Sequence, residues 1–336
     1  MSEMQTDMLA DSVARALRDV VTARGTVAAE AKGLDADAWK VLRELGLSGQ
    51  DAAAMSLEEQ AAVLEAIGYC AALVPYADSE AMARWLAQGA GFATDSDEVL
   101  ALAVASPNAL SGQRIAWGRH SARTVFSYAE GGRNMVGIIA TAKLQLANGT
   151  NLAGEPRDKC GVERVEPAEV REVSDELSPS AVRQRGALCR CAAMLGAATK
   201  AQELTLRYAA DRKQFGKPLA HFQVIQSYLA QMAGELSAAS AIFATALRAA
   251  ERGAIASRPE TAAAKVRIAQ AAQVITGLAH QVHGAIGFTQ EYSLQLWTRR
   301  LWAWREEFGN ETERARELGS AMISLGPHAY WERITQ

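Results

Sequence analysis

The sequence predicts a mostly α-helical protein with a small β domain in its middle. Apolar residues recur every three or four positions near the N-terminus, short β-prone runs separated by glycines follow, and long helical patterns fill the rest. We therefore divide the 336 residues into an N-terminal helical domain (1–93), a middle β domain (94–178) and a C-terminal helical bundle (179–336).

The N-terminal domain has local signals for helix starts as well as the helical period. The run 39–45 places apolar residues on one helical face, and Asp35 stands before it as a candidate N-cap. Ser56 followed by Glu59 has the spacing of a capping box, in which each side chain binds the other residue's backbone N–H. These signals predict at least two capped helices.

The two later domains differ in the length of their elements. The run 136–140 is β-prone, and Gly131, Gly132, Gly149 and Gly154 are placed as turn residues between short strands. Beyond residue 180 the pattern is helical again, and the first two helices are more than twice the mean length of about 11–12 residues, which favours an antiparallel bundle. The predicted helices span 181–210, 222–252, 260–283 and 292–307, with a last one from 310.

Composition excludes several classes of function. The chain is 49% hydrophobic and 22% charged, with a net charge of −3 and a pI near 6.0. We expect no nucleic-acid partner because no basic run could follow a phosphate backbone. We expect no membrane insertion because charges interrupt every apolar stretch before about 20 residues. Four irregularly spaced cysteines and the absence of a signal-peptide pattern indicate a cytoplasmic protein.

Side chains that could bind a metal have unsuitable spacing. Cys189 and Cys191 lie about 200° apart on a helix and cannot bind one ion together. His280 and His283 lack the carboxylate of an H-E-x-x-H motif, so we expect a packed or solvated pair. No metal site is predicted.

Tryptophans crowd one C-terminal helix, at positions 297, 302 and 304. Such a stripe favours a core or an interface. Because this tryptophan-rich helix and the long bundle helices offer more apolar surface than a monomer should expose, we predict a dimer or tetramer built from the C-terminal bundles.

Two segments carry more information than ordinary loops. The segment 212–223 lies between two long helices and begins with a cation, Arg212, and ends with an amide, Gln223. The segment 281–289 has small residues at the end of a helix, where another backbone or a ligand could come close. Taken singly, each is equally well explained as a capped turn, but the pair is more specific.

These segments resemble the acyl-CoA dehydrogenase family. The resemblance rests on the R-x-x-F-G-x6-Q loop from Arg212, the turn related to Q-x-x-G-G-x-G from Gln281, and Arg299 followed ten residues on by Gly309. It covers the chain in order and implies that family's fold, with a middle β-barrel-like domain of about half the usual size and a C-terminal four-helix bundle. It also implies oxidation of acyl-CoA in fatty acid or steroid side-chain catabolism (β-oxidation).

The resemblance implies FAD as the cofactor. In the family, the two loops of one subunit hold an FAD that is bound mainly by the neighbouring subunit. A guanidinium in the first loop would form two parallel hydrogen bonds with the pyrophosphate. By position, the residues implied are Arg212 at the pyrophosphate, Gln214, Phe215 and Gln223 along the dinucleotide, and Gln281, Gly284 and Ala285 at the adenosine half.

The family's catalytic base is missing from its expected positions. The reaction removes a proton α to a thioester carbonyl while the β-hydrogen leaves as hydride, and the base must be a carboxylate. One family position holds Phe308 and the other holds Gly186. Glu307 is the adjacent alternative, but one residue along a helix rotates a side chain by about 100°, so we expect it to point elsewhere.

The resemblance therefore implies a subunit that lacks its own base. Some bacterial members pair a short subunit of this kind with a longer, complete one, and we predict this arrangement, with acyl-CoA as substrate and electron-transfer flavoprotein as the family's partner. The alternatives are a homo-oligomeric flavoenzyme that uses Glu307 or another acid, and a flavin-free scaffold on the same fold.

Overall fold

The computed structural model describes residues 3–253 and 259–335. The N-terminal part is helical, as predicted. Its α-helices are α1 (Glu3–Val20), α2 (Ala23–Lys32), α3 (Ala36–Glu44), α4 (Gly49–Ala54), α5 (Leu57–Cys70) and α6 (Trp85–Gly89), with a π-helical segment (Ala77–Arg84) before α6.

The predicted caps of this part are confirmed. The Asp35 side chain accepts a hydrogen bond from the Ala38 N–H at the start of α3. Ser56 and Glu59 form the predicted capping box at the start of α5. Each cap satisfies backbone donors that the first turn of a helix leaves free.

The middle part contains two open sheets. Its strands are β1 (Leu100–Ala103), β2 (Arg114–Ala116), β3 (Arg123–Glu130), β4 (Arg133–Ala140), β5 (Leu146–Ala147), β6 (Arg157–Cys160) and β7 (Glu169–Val173). One sheet has the order β1-β3-β4-β7, with β1 parallel to β3, and the other has the order β2-β6-β5. The small β domain is confirmed, but in the described ranges the strands close no barrel.

The C-terminal part is a bundle of long helices. They are α7 (Pro179–Asp211), α8 (Gln223–Glu251), α9 (Pro259–His283), α10 (Leu294–Glu306) and α11 (Glu311–Thr335), with the short strands β8 (Lys213–Gln214) and β9 (Lys217–Pro218) between α7 and α8. The predicted helices agree with these to within about two residues at most ends. The helix α11 is kinked at Gly326, where φ is 75°. None of the helices in the described ranges is long and apolar enough to cross a bilayer.

The helix α5 crosses α7 at a very close contact. A Cβ on Gly196 would lie 1.9 Å from the Glu65 carbonyl oxygen, and one on Gly68 would lie 2.0 Å from the Ala193 carbonyl oxygen. Glycine is required at both positions because the opposing atoms are backbone and cannot turn away. This crossing joins the N-terminal helices to the bundle in one apolar core.

We expect Gly196→Ala to destabilise the fold by about 1–3 kcal/mol or more, since overpacking a close-packed contact forces backbone shifts. Gly277→Ala is the matched control, because its added Cβ meets nothing within 4 Å in the described structure. The control should be neutral or stabilising by up to about 1 kcal/mol, since alanine favours helix. Urea unfolding of both variants measures the difference, and equal midpoints would contradict the assigned crossing.

Candidate functional site

The two segments resembling FAD-binding loops lie at the same end of the bundle. The hairpin of β8 and β9 follows the end of α7, and the turn 284–288 follows the end of α9. Tyr208, one turn before the hairpin, stacks on His283 with ring centroids 4.4 Å apart, and its hydroxyl donates to the His283 carbonyl oxygen at 3.4 Å. The fold therefore brings these two distant segments together.

The seven residues implied in FAD binding are all exposed. They are Arg212, Gln214, Phe215, Gln223, Gln281, Gly284 and Ala285. The Arg212 guanidinium forms no ion pair with any described residue. Phe215, at the hairpin tip, is 92% exposed. An unpaired guanidinium, amides and a protruding ring form a surface suited to an anionic group held by another molecule.

Backbone geometry keeps this surface open. Gly216 in the hairpin has φ of 81° and Gly284 in the turn has φ of 63°, both in the left-handed region that glycine tolerates. A Cβ on either residue would meet no described atom within 4 Å. At Gly216 and Gly284 the backbone thus faces solvent.

A crevice lies between the middle domain and the bundle. Its volume is about 610 Å³. Strands β1 and β2 form one side, the loop 150–152 forms the rim, and the end of α10 forms the other side. Its lining includes Trp302, Glu307 and Phe308.

The two family positions for a catalytic base meet in space beside this crevice. A Cβ on Gly186 would lie only 2.4 Å from Cδ1 of the Phe308 ring. Phe308 has φ of 56°, and its carbonyl oxygen accepts a hydrogen bond from Arg314 Nε at 3.0 Å. The Phe308 ring therefore occupies the space that a side chain at position 186 would enter, and it replaces a glutamate at position 308.

Glu307 lines the crevice, contrary to our expectation that it points elsewhere. The helix α10 ends at Glu306, and Glu307 is extended, with φ of −83° and ψ of 143°. A rotation of 100° per residue does not apply outside a helix, which explains the error. Glu307 and Phe308 consequently lie on the same wall.

The Glu307 carboxylate is held by two arginines. Arg157 Nε donates to Oε1 at 2.9 Å and Nη2 donates to Oε2 at 3.0 Å, while Arg190 Nε lies 2.7 Å from Oε2. Asn151 Nδ2 donates to Oε1 at 3.1 Å. Burial alone would raise the pKa of Glu307, but Arg157 and Arg190 hold that pKa at about 2. A carboxylate with this pKa and these partners is a poor proton acceptor.

The same cluster joins all three parts of the chain. Asp78, from the N-terminal part, accepts from Arg190 Nη2 at 2.8 Å and from Trp117 Nε1 at 3.0 Å. Glu155, from the middle part, accepts from Arg157 Nη2 at 2.9 Å. We name Asp78, Glu155, Arg157, Arg190 and Glu307 the interdomain charge cluster.

Sequence reasoning missed most of this cluster because its members are far apart in the chain. The one available signal was Arg190, a charged residue between two cysteines inside an apolar helical stretch. A buried charge in such a place requires a partner. The identity of that partner depends on tertiary structure.

The other residues considered as candidates from the sequence are packed or paired within the chain. Trp297 and Trp304 are buried inside the chain, so they do not supply the exposed interface that we predicted from the tryptophan stripe. The Arg299 guanidinium pairs with Glu30 at 2.6 Å. The buried His280 stacks between Phe288 and Trp302, at centroid distances of 4.1 and 5.6 Å, which makes it a packed residue. All four cysteines are free and buried.

The bundle and the whole chain are similar to known proteins. Residues 183–318 match the family model of the acyl-CoA dehydrogenase C-terminal domain. The acyl-CoA dehydrogenase IpdE2 of Mycolicibacterium smegmatis is 31% identical over 134 residues, which are 39% of this chain and 40% of that protein. IpdE2 of Mycobacterium tuberculosis is 28% identical over 233 residues, 66% of this chain and 69% of that protein. The matched part thus spans less than half of the first relative's length.

Solved structures extend the likeness to nearly the full chain. A chain of the ChsE4-ChsE5 complex from Mycobacterium tuberculosis has a TM-score of 0.84 at 17% identity, over 97% of this chain and 99% of that chain. At this identity the likeness is one of fold. The sequence match to the acyl-CoA dehydrogenase C-terminal domain covers the bundle, residues 183–318, and the likeness of the rest of the chain is one of fold.

Proposed function

We propose that this chain is the base-lacking subunit of a heteromeric acyl-CoA dehydrogenase, which introduces an α,β double bond into an acyl-CoA thioester. The observation that carries the proposal is that neither family base position holds a carboxylate. Gly186 has no side chain, and the ring of Phe308 lies against it. The loops that would serve a neighbour remain exposed on the same chain. A second, complete subunit would supply the base.

The residues at the bundle end fit the dinucleotide of a neighbour's FAD. When bound, FAD supplies the hydride acceptor of the reaction. In this chain, the unpaired Arg212 would bind the pyrophosphate, and Gln214, Phe215 and Gln223 would lie along the dinucleotide. Gln281, Gly284 and Ala285 would contact the adenosine half, where Gly284 leaves open space. The role proposed for this chain is to hold and orient the cofactor, with electron-transfer flavoprotein as the eventual acceptor.

The homo-oligomeric alternative requires Glu307 to act as the base. Its carboxylate oxygens are already engaged by Arg157, Arg190 and Asn151, and its pKa of about 2 disfavours proton uptake near neutral pH. The geometry therefore favours the heteromer. A flavin-free scaffold gives no reason for an unpaired cation at the bundle end. Arg212 is such a cation, since its guanidinium forms no ion pair within the described structure.

Co-expression with full-length acyl-CoA dehydrogenase homologues tests the proposal. We expect the chain to co-purify with one of them as a complex with bound FAD, detected by its mass and visible absorbance. A chain that purifies alone with stoichiometric flavin and dehydrogenase activity would support the homo-oligomer instead. A chain that never acquires flavin with any homologue would support the scaffold.

Arg212→Ala is expected to weaken FAD retention in the assembled complex. The loss of a charged hydrogen bond costs about 1.5 to 3 kcal/mol, so the complex should release FAD at concentrations where the native complex keeps it. Arg207→Ala is the matched control, since Arg207 is an exposed arginine in the last turns of α7, shortly before Arg212, and lies 3.7 Å from Asp211. Flavin content after dialysis measures the effect. Equal loss from both variants, or from neither, would contradict the assignment of Arg212.

A further inference from the structure

The two segments proposed to bind FAD are joined by aromatic side chains at the bundle end. The Tyr208 ring stacks on the His283 imidazole, and Tyr292 packs against the same imidazole with ring centroids 4.9 Å apart. His283 is only 3% exposed, so these contacts reach into the interior. None of these three side chains is among the residues proposed to contact the dinucleotide.

Tyr208 is bonded to both segments. Its carbonyl oxygen accepts a hydrogen bond from the Arg212 N–H at 2.9 Å, where α7 ends and the hairpin begins. Its hydroxyl donates to the carbonyl oxygen of His283, the residue before Gly284. Tyr208 therefore connects the segment that carries Arg212 with the turn that carries Gly284.

The turn 284–288 is in close contact with the histidines at the end of α9. A Cβ on Gly287 would lie 2.9 Å from the His283 Cβ and 3.2 Å from His280 Nδ1. His283 Nδ1 donates to the Ala279 carbonyl oxygen at 2.7 Å, which fixes the imidazole on the helix. The position of the turn thus follows that of His283.

We infer that Tyr208 and His283 are positioning residues for FAD binding, which hold the Arg212 hairpin and the Gly284 turn at the separation required by the pyrophosphate and the adenosine half of one dinucleotide. A ligand that bridges two independent segments loses affinity to the ordering of those segments, and a rigid link between them removes that cost. Tyr208 acts through Arg212, and His283 acts through Gly284. The inference rests on the proposed function and concerns how its binding surface is built.

The affinity of the flavin-free heteromer for FAD, titrated by flavin fluorescence, measures the role of Tyr208. Tyr208→Leu removes the stacked ring and the hydroxyl, and we expect it to weaken FAD binding by at least about tenfold. Tyr208→Phe keeps the ring and should retain most of the affinity. Tyr128→Leu is the matched control, since Tyr128 is packed in the core of the middle domain. It should lower the urea midpoint and leave FAD affinity unchanged. Native affinity in Tyr208→Leu, or an equal loss in Tyr128→Leu, would overturn the inference.

A double-mutant cycle separates positioning from packing. If Tyr208 acts by placing Arg212, Tyr208→Leu should weaken FAD binding by a clearly smaller factor in an Arg212→Ala background than in the native background. The same factor in both backgrounds would show that Tyr208 acts independently of the guanidinium, and its positioning role would be rejected.

Gly287→Ala tests the contact beneath the turn in a chain that keeps Tyr208 and His283. The added methyl group must displace the turn from His283, so FAD affinity should fall several-fold relative to the native heteromer. This variant also decides the matter if Tyr208→Leu yields no folded complex. Unchanged FAD affinity in Gly287→Ala would contradict a turn that is held in place by His283.

Arg212→Ala distinguishes failure of this inference from failure of the proposed function. Loss of FAD from Arg212→Ala, together with native affinity in Tyr208→Leu, would leave the binding surface in place and reject the positioning role alone. Native affinity in Arg212→Ala as well, or no flavin in any complex, would reject the proposed function and this inference with it.

Discussion

Glu307→Gln is expected to destabilise the chain by about 3–5 kcal/mol, because it removes one partner from a buried ion cluster and leaves the charges of Arg157 and Arg190 without their shared carboxylate. Both guanidiniums are at least nine-tenths buried, so water cannot replace the lost partner. The loss should appear as a lower unfolding midpoint in urea and on heating.

The control for this variant is Glu306→Gln, one residue earlier in the chain. Glu306 is exposed, and a surface carboxylate contributes about 0–1 kcal/mol. The pair therefore differs in burial and ion pairing while the chemical change is identical. Comparable midpoints for the two variants would show that Glu307 is not held as described.

The same cluster predicts a loss of stability in acid. The pKa of Glu307 is about 2 in the fold and close to its ordinary value when unfolded, so its contribution is fully present above about pH 4.5. That contribution is lost as pH falls from about 4.5 towards 2, since Glu307 is then protonated in the unfolded chain and still ionised in the folded chain. In Glu307→Gln this part of the acid dependence should disappear, which unfolding at a series of pH values can measure.

The helical framework could be predicted because its signals are local. The capping box of Ser56 and Glu59 lies at the start of the helix that it caps. The apolar residues that predict α7 and α8 lie within those helices themselves. The segments 212–223 and 281–289 could also be predicted as candidate binding segments, since their small and charged residues are adjacent in the chain. Their binding roles stay predictions.

The interdomain charge cluster could not be predicted, because its geometry depends on contacts between distant segments. Asp78 and Arg190 are 112 residues apart, and Arg157 and Glu307 are 150 apart. The orientation of Glu307 failed for a further reason. Our expectation extended α10 to residue 307, whereas the helix ends one residue earlier and the chain turns the carboxylate into the crevice.

The burial of the tryptophans shows why their clustering in the sequence could not distinguish a core from an interface. Three tryptophans on one helix fit a core as well as an interface, and Trp297 and Trp304 are buried in the chain's own core. The exposed apolar side chains at the bundle end instead include Phe215, Val224, Ile286 and Phe288. The proposed contact with a partner subunit therefore rests on these residues and on Arg212.

The purified chain alone is expected to have no measurable acyl-CoA dehydrogenase activity, because Phe308 covers Gly186 where the base would act and Glu307 is held ionised by two arginines. Loss of a general base typically costs about two to four orders of magnitude in rate. In the proposed heteromer, a partner with its own glutamate should restore turnover, measured with an acyl-CoA and an artificial electron acceptor.

Two substitutions in that heteromer identify the subunit that supplies the base. Glutamate-to-glutamine at the partner's catalytic position should lower the rate by about 10²–10⁴. Glu307→Gln in this chain should leave the rate per folded complex within a few-fold, since its carboxylate stabilises the fold and takes no proton. Folded complex is quantified by size-exclusion chromatography and bound flavin before each assay, so that instability is not read as lost catalysis. Robust activity of the single chain, abolished by Glu307→Gln while flavin is retained, would refute the base-lacking assignment and establish the homo-oligomeric enzyme.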